Sequence, residues 1–234
     1  MESLPSHRQF LTTLINSVSD IAPPAPSANA ASPPPAPPSS TTSSPLQAIA
    51  QTQRPLLLTL HVLFPSLLLP AVDLLDRGLV TRLRRAETGG LAEDPERESV
   101  DGGNDPAAGG GDGIFLVRSL ATTLTRRNRD VALSSQRYIV HLGVWNCSCA
   151  SFTFDAFPSH PGPASAQDAA PQLPGQWSFG GMSLDGLSTS AGDVPCCKHL
   201  LACLLVQRWP GMLGQYVEDW SVSKEEMAGI TAEM

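Results

Sequence analysis

This sequence is poor in lysine and cysteine, and each shortage excludes a class of protein. There are two lysines, Lys198 and Lys224, and neither follows a glycine-rich phosphate loop, so any ATP hydrolysis must come from a partner. Five cysteines in 234 residues are too few for a disulfide scaffold. The N-terminus lacks the basic and then apolar order of a secretory signal. We therefore expect a reducing, intracellular compartment, in which cysteines serve as metal ligands and not as bridges.

The acidity of the chain is confined to one segment. Residues 86–113 contain eight acidic residues and one basic residue, so this segment alone accounts for the net charge of -7. The rest of the chain is balanced, and the charge does not argue against a nucleic-acid context.

A long run without charge, Pro55 to Val72, has the length of a membrane span. Pro65 and Pro70 divide this run, and arginines stand at both ends, which removes any positive-inside asymmetry. We predict a buried helical pair in preference to a membrane span. This leucine-rich region either fills the core or supplies a face for a partner.

Three parts of the chain are distinguished by composition. Residues 1–21 contain a helix with apolar periodicity over 8–21, which is tethered loosely or docks on a partner. Nine prolines fall in residues 22–45, which predicts a disordered linker. Residues 46–232 form the main domain, with low-complexity insertions at 86–113 and 158–192.

Within the main domain, short helices alternate with strands rich in β-branched and aromatic residues. The fold class is α+β: a small zinc-stabilised domain whose short antiparallel sheet is flanked by helices and interrupted by disordered insertions. The predicted elements are helices at 55–64 and 70–78, strands at 79–85, 114–120 and 136–145, a helix through Arg208, and a last helix with a capping box at Ser223 and Glu226.

Four residues form a complete ligand set for a tetrahedral metal. Cys147 and Cys149 form a C-x-C pair after a predicted strand, where alternate residues face the same way. Cys197 and His199 form a C-x-H pair at the start of a predicted helix, whose N-terminus favours the thiolate. Three thiolates and one imidazole predict one structural Zn²⁺, because a catalytic zinc leaves one position for water.

The spacer of 47 residues between the two pairs costs little. Lengthening a loop from about 12 to about 48 residues costs ~1.2 kcal/mol of closure entropy, whereas structural zinc contributes about 10–16 kcal/mol in small peptides. The simpler alternative is a set of inert buried cysteines. Cys196 competes with Cys197 as a ligand, and Cys203 fits a helix core better. Structural or surface roles are expected for His61, His141 and His160.

At these two pairs the chain resembles the SWIM-type zinc finger, C-x-C…C-x-H. Ala202 also matches the extended form C-x-H-x-x-A, found in the SWIM-domain subunit of the Shu complex, a recombination mediator family. The spacer is longer than is usual in that family. The likeness extends to the segments Leu63-Phe64, Ala71 to Arg77, Tyr138 to Phe157 and Ser221 to Ser223.

The resemblance implies a nuclear, non-enzymatic adaptor for homologous-recombination DNA repair. Such a protein binds a RecA-like recombinase paralogue and promotes recombinase filament assembly on single-stranded DNA. The alternative is a SWIM-type DNA-binding finger, transposase-like or related to transcription. A thiol enzyme using Cys196 or Cys203 would need a paired base, and the sequence offers none outside the metal set.

Direct contact with single-stranded or branched DNA would involve arginines on both sides of the acidic segment. On one hairpin they would form a basic stripe able to contact phosphates, although stacking aromatics are sparse there and a solvated hairpin end is the simpler interpretation. The arginines concerned are Arg82, Arg84, Arg85, Arg126, Arg127 and Arg129, with Arg118 beside them.

Overall fold

A computed structural model describes residues 5–22, 49–86, 113–118, 136–157, 177–181 and 194–232. These residues form an α+β fold in which helices flank a five-stranded mixed sheet. The predicted linker beyond residue 22, almost all of the acidic segment, Arg126, Arg127, Arg129 and His160 lie outside the described residues.

Most of the described helices agree with the apolar periodicity of the sequence, and two of them were not predicted. One, Ala150–Ala156, follows the C-x-C pair directly and is only seven residues long. The other, Pro210–Leu213, follows Arg208, where Pro210 and Gly211 were expected to end the preceding helix. The helices are α1 His7–Ser19, α2 Arg54–Leu63, α3 Leu68–Asp76, α4 Ala150–Ala156, α5 Lys198–Arg208, α6 Pro210–Leu213 and α7 Lys224–Ala232. The predicted capping box of α7 is confirmed by reciprocal hydrogen bonds between Ser223 and Glu226 of 2.8 and 3.1 Å.

The sheet is mixed, so the prediction of a purely antiparallel sheet is wrong at one edge. The strand order is β4-β3-β2-β1-β5, and β5 runs parallel to β1 while all other neighbours are antiparallel. The sequence did not indicate β5 because four of its five residues are exposed and give no apolar alternation. The strands are β1 Val80–Arg85, β2 Ile114–Arg118, β3 Arg137–His141, β4 Asn146–Cys147 and β5 Glu218–Val222.

The two faces of the sheet contact different apolar clusters. Phe115 and Val117 of β2 point into the main core, which contains all helices except α7. Ile114 and Leu116 alternate with them and belong to a smaller cluster on the other face, which α7 covers in part.

Helix α5 is the centre of the main core. Its residues from His199 to Val206 are all buried, so the helix has no solvent face along that length. Cys203 is fully buried there, as expected for a core residue. Helix α3 packs against α5 and buries five residues of its own, among them Leu74 and Leu75.

Helix α1 is part of this core, which corrects the expectation of a loosely tethered or partner-docked helix. Leu11, Ile15 and Val18 are almost inaccessible to solvent. At the end of the segment the indole Nε1 of Trp209 donates to the carbonyl of Ile21 at 2.8 Å. The apolar face of α1 is therefore buried within the same chain.

Residues 177–181 also pack into the core, although they fall inside the predicted low-complexity insertion 158–192. Phe179 is 1% exposed and lies between the rings of Phe64 and Trp145, with centroid distances of 5.8 and 4.7 Å. Its backbone N–H donates to the Thr12 hydroxyl at 2.9 Å. A Cβ on Gly181 would lie 2.9 Å from two carbonyl oxygens of the β3–β4 turn, so this position requires glycine.

The uncharged run folds as two short helices. Within the described ranges, no single helix is long and apolar enough to cross a membrane; the stretches Gln51–Leu63 and Leu68–Asp76 reach that length and composition together, with a bend of 114° between them.

Candidate metal centre

The four predicted ligands come from three separate elements that meet beside β3. Cys147 ends β4 and is paired with Val140 of β3. Cys149 is the N-cap of α4, and Cys197 is the N-cap of α5. Strand alternation was therefore the wrong reason for grouping the first pair, because the backbone leaves the strand after Cys147 and turns into a helix. His199 lies in the first turn of α5.

The four side chains are brought together at one buried point. One ligand atom from each residue lies within 4.8 Å of all the others, and each residue is at most 4% exposed. The imidazole turns its Nδ1 atom toward the thiols, at 3.8 Å from the Sγ of Cys147 and 3.9 Å from the Sγ of Cys197. The group can hold one metal ion, with three sulfur donors and one nitrogen donor.

Two of the thiols occupy equivalent positions at helix N-termini. The Sγ of Cys149 accepts from the N–H of Phe152, and the Sγ of Cys197 accepts from the N–H of Leu200, both at 3.4 Å. Both helix N-termini place partial positive charge next to sulfur, which favours the thiolate form. The C-x-C and C-x-H pairs thus each contribute one sulfur at a helix N-cap.

Three thiols this close cannot all ionise in the absence of a cation. Hydrogen bonds from Cys147 and then Cys197 lower the pKa of Cys149 far below its usual range. The pKa of Cys147 is raised far above its usual range, first by the hydrogen bond with Cys149, then by that with Cys197 and by burial. Cys197 is intermediate: the bond with Cys147 lowers its pKa, but the bond with Cys149 and burial raise it to about 11. A bound cation would remove this conflict by stabilising all three charges.

Contacts outside the ligand set hold the two pairs in place. The indole Nε1 of Trp145 donates to the carbonyl of Pro195 at 2.7 Å and so joins the β3–β4 turn to the segment before Cys197. Ser148, between the first two cysteines, points away from the group and exchanges two 3.0 Å hydrogen bonds with the backbone of Ile139. The ring of Tyr138 packs on the imidazole of His199 with a centroid distance of 4.6 Å.

These supporting residues were not predicted as part of the site. Tyr138 and Trp145 were predicted only as strand residues, since neither is a usual donor to structural zinc and the residues they contact are distant in sequence. The structure shows a positive φ of 51° at Trp145, which marks a sharp turn immediately before the first cysteine pair, and the sequence gives no sign of it.

The other cysteines and histidines of the described ranges lie outside the group. Of the neighbouring residues Cys196 and Cys197, Cys197 is the one that joins the cluster. Cys196 is buried, and its pKa is raised first by burial and then by Cys197 and Asp155. Burial likewise raises the pKa of Cys203. His61 in α2 and His141 in β3 are not members of the cluster.

Arg82 and Arg84 of the predicted basic stripe are engaged in ion pairs with Asp219. Arg82 donates twice to the Asp219 carboxylate, at 2.6 and 2.9 Å, and Arg84 donates to the same group at 3.2 Å. Arg118 donates to the carbonyl of Gly78 at 2.7 Å. Arg85 is exposed at the end of β1.

No protein-family model and no curated protein matches this chain. The fold and the site define an α+β protein with a buried group of three cysteines and one histidine that can hold a metal ion.

Proposed function

We propose that this protein holds one structural Zn²⁺ on Cys147, Cys149, Cys197 and His199 and acts as a non-enzymatic adaptor in homologous-recombination DNA repair. The observation that carries the proposal is the closed, buried arrangement of four protein donors around one point. A tetrahedral zinc with four protein ligands has no position left for a reacting water, so its contribution is to folding.

The donor chemistry and the spacing both fit zinc. Thiolates with imidazole are the usual donors of structural zinc sites, while calcium and magnesium prefer oxygen. Zinc with ordinary bond lengths and tetrahedral angles would hold a sulfur and a nitrogen about 3.5 Å apart. The two nitrogen–sulfur distances to His199, 3.8 and 3.9 Å, are close to that separation. A movement of a few tenths of an ångström would bring these two pairs of atoms to that separation.

The adaptor role comes from the resemblance to the SWIM-domain subunit of the Shu complex. In that reading the chain is nuclear, binds a RecA-like recombinase paralogue and helps recombinase filaments assemble on single-stranded DNA. The extended motif residue Ala202 is fully buried in α5, next to the metal ligands in sequence. Its small side chain is suited to a helix that is enclosed by other elements.

The partner-binding surface in this proposal is the outer face of α2 and α3. Leu58, Val62 and Leu69 are 64%, 75% and 56% exposed. The run they belong to carries no charge, and exposed apolar patches of this kind mark protein interaction surfaces. Leu60 and Leu68 face the core from the same two helices, so in this proposal one face of the run fills the core and the other binds the partner.

Co-expression with a RecA-like paralogue tests this role. The wild-type chain should co-purify with it, and Val62→Asp should abolish co-purification while zinc content and melting temperature stay unchanged, because Val62 is exposed. Thr13→Asp, which adds the same charge to the exposed side of α1, is the control and should leave binding intact. Loss of binding in both variants, or in neither, would contradict the proposed surface.

The alternative, a DNA-binding finger, makes a different prediction. The isolated chain would then bind DNA tightly, with an affinity that falls steeply as salt rises. Arg82 and Arg84 already share the Asp219 carboxylate, which leaves less free positive charge on the described part of the hairpin. Tight, salt-sensitive DNA binding without a partner would favour the alternative over the adaptor.

A further inference from the structure

Residues 177–181, the bridging segment, lie between helix α1 and the turn that precedes the first cysteine pair. On the α1 side, the guanidinium Nε of Arg8 donates to the Ser178 hydroxyl at 2.8 Å. The Thr12 hydroxyl accepts from the backbone N–H of Phe179 at 2.9 Å. Arg8 and Thr12 are one helical turn apart, so both hold the bridging segment from the first half of α1.

On its other side, the bridging segment packs against the β3–β4 turn. The ring of Phe179 meets the ring of Trp145 edge-on, with a centroid distance of 4.7 Å. The backbone of Gly181 lies so close to this turn that a Cβ would be 2.9 Å from two of its carbonyl oxygens. Arg8 also donates to the carbonyl of Gly181, so one residue of α1 holds the part of the segment that contacts the turn.

The β3–β4 turn connects the bridging segment to both cysteine pairs. Trp145 stands two residues before Cys147 in the sequence. Its indole Nε1 donates to the carbonyl of Pro195, which stands two residues before Cys197. A continuous series of direct contacts therefore leads from the first half of α1, through the bridging segment and Trp145, to the two parts of the chain that carry the metal ligands.

The second half of α1 is held by different contacts. Asn16 accepts from the guanidinium of Arg208 at 3.1 Å, and the same guanidinium packs on the ring of Trp177 at the start of the bridging segment. Just after the helix, the carbonyl of Ile21 accepts from the indole of Trp209, about 20 Å along the helix from the first turn. Loss of a bond from the first half of α1 therefore leaves the helix docked and loosens the part of the segment that contacts the turn.

We propose that the bridging segment, held by Arg8 and Thr12, keeps the metal centre closed and controls how fast a bound Zn²⁺ is released; this inference rests on the proposed structural zinc. A buried ion with four protein ligands leaves through a local opening that separates those ligands. The stretch that carries Cys197 moves away when Trp145 loses its packing against Phe179. Helix α1 contributes no ligand, and yet a change in its first half opens the site without unfolding the rest of the core.

The test changes one hydroxyl of the full-length chain. Thr12→Val keeps the shape of the side chain but removes the acceptor for the Phe179 N–H, so zinc release to an excess of chromophoric chelator should become about five- to tenfold faster. Thr12→Ser retains a hydroxyl and should release zinc at close to the wild-type rate. Thr13→Val is the matched control: each threonine donates to the carbonyl four residues earlier, at 2.7 Å for Thr12 and 3.0 Å for Thr13, but Thr13 lies on the exposed side of α1. Its zinc release should be unchanged.

Hydrogen exchange measured by mass spectrometry separates this proposal from the zinc assignment, because it needs no bound metal. In Thr12→Val the backbone amides of residues 142–149 and 195–201 should exchange faster than in the wild type, whereas those of α3, Leu68–Asp76, should not. A wild-type chain without zinc would contradict the zinc assignment, and exchange would still decide the coupling. Exchange of 142–149 and 195–201 that is unchanged in Thr12→Val, or faster along the whole chain alike, would overturn the proposal, as would equal zinc release by Thr12→Val and Thr13→Val.

Discussion

The hydrogen bond from Trp145 to Pro195 is expected to couple the two halves of the metal site. The indole is 3% exposed, and its Nε1 lies 2.7 Å from a carbonyl two residues before Cys197. Trp145→Phe removes the donor and leaves that carbonyl unpaired, which costs ~1–2 kcal/mol, and the lost ring volume beside Phe179 adds ~1 kcal/mol. The total loss in unfolding free energy should be about 2–3 kcal/mol.

Metal affinity should fall as well, because the bond positions the segment that carries Cys197. Loss of outer contacts of metal ligands weakens binding about 10–100-fold, and we expect the lower end of that range. Trp209→Phe is the matched control: Trp209 is also 3% exposed and donates to a backbone carbonyl at 2.8 Å, but that carbonyl belongs to Ile21, just after α1. Urea unfolding gives the stability, and competition with a chromophoric chelator gives the zinc affinity. If the two variants lose zinc affinity equally, or if Trp145→Phe loses none, the coupling is refuted.

Three further changes have expected outcomes. Phe179→Ala should lower the unfolding free energy by about 3–5 kcal/mol in urea titrations, because the Phe179 ring is enclosed. Phe157 is 68% exposed, so the control Phe157→Ala should change the unfolding free energy by less than about 0.5 kcal/mol. Similar values for both variants would show that residues 177–181 are not part of the core. Arg82 holds the pKa of Asp219 below its usual range. Above about pH 4, the unfolding free energy of the wild type should therefore be greater than that of Asp219→Asn, by less than ~1 kcal/mol. The advantage should vanish in thermal melts as the pH falls through that lowered pKa, and a difference that persists at the lowest pH would argue against the ion pair as its source. Cys203→Ala should retain bound metal in elemental analysis, since Cys203 packs inside α5 and lies outside the cluster; loss of metal would place a fourth thiol in the site.

Local patterns were sufficient to predict which three cysteines and one histidine cluster, and most of the helices. Cys197 and His199 precede an apolar helix, and both the helix and the N-cap position of the thiol follow from that short stretch of sequence. Strands β1, β2 and β3 were also predicted, because their β-branched and aromatic residues lie between segments of very different composition.

The elements that were missed depend on tertiary contacts. Strand β5 has four exposed residues and becomes a strand by pairing in parallel with β1, more than 130 residues earlier in the chain. Phe179 stands in a stretch of glycine and serine, and its burial depends on α1 and on the turn at Trp145. Helix α4 is seven residues long, too short to show a period. No local pattern in the sequence contains this information.

Metal content of the purified chain tests the central claim most directly. Elemental analysis of wild-type protein should find one zinc per chain, and Cys149→Ser and His199→Ala should each lose it together with the folded state of the C-terminal half. Cys203→Ala should keep one zinc. A metal-free wild-type chain that is stably folded, or one zinc per chain retained in both ligand variants, would contradict the assignment of these four residues as a structural zinc site.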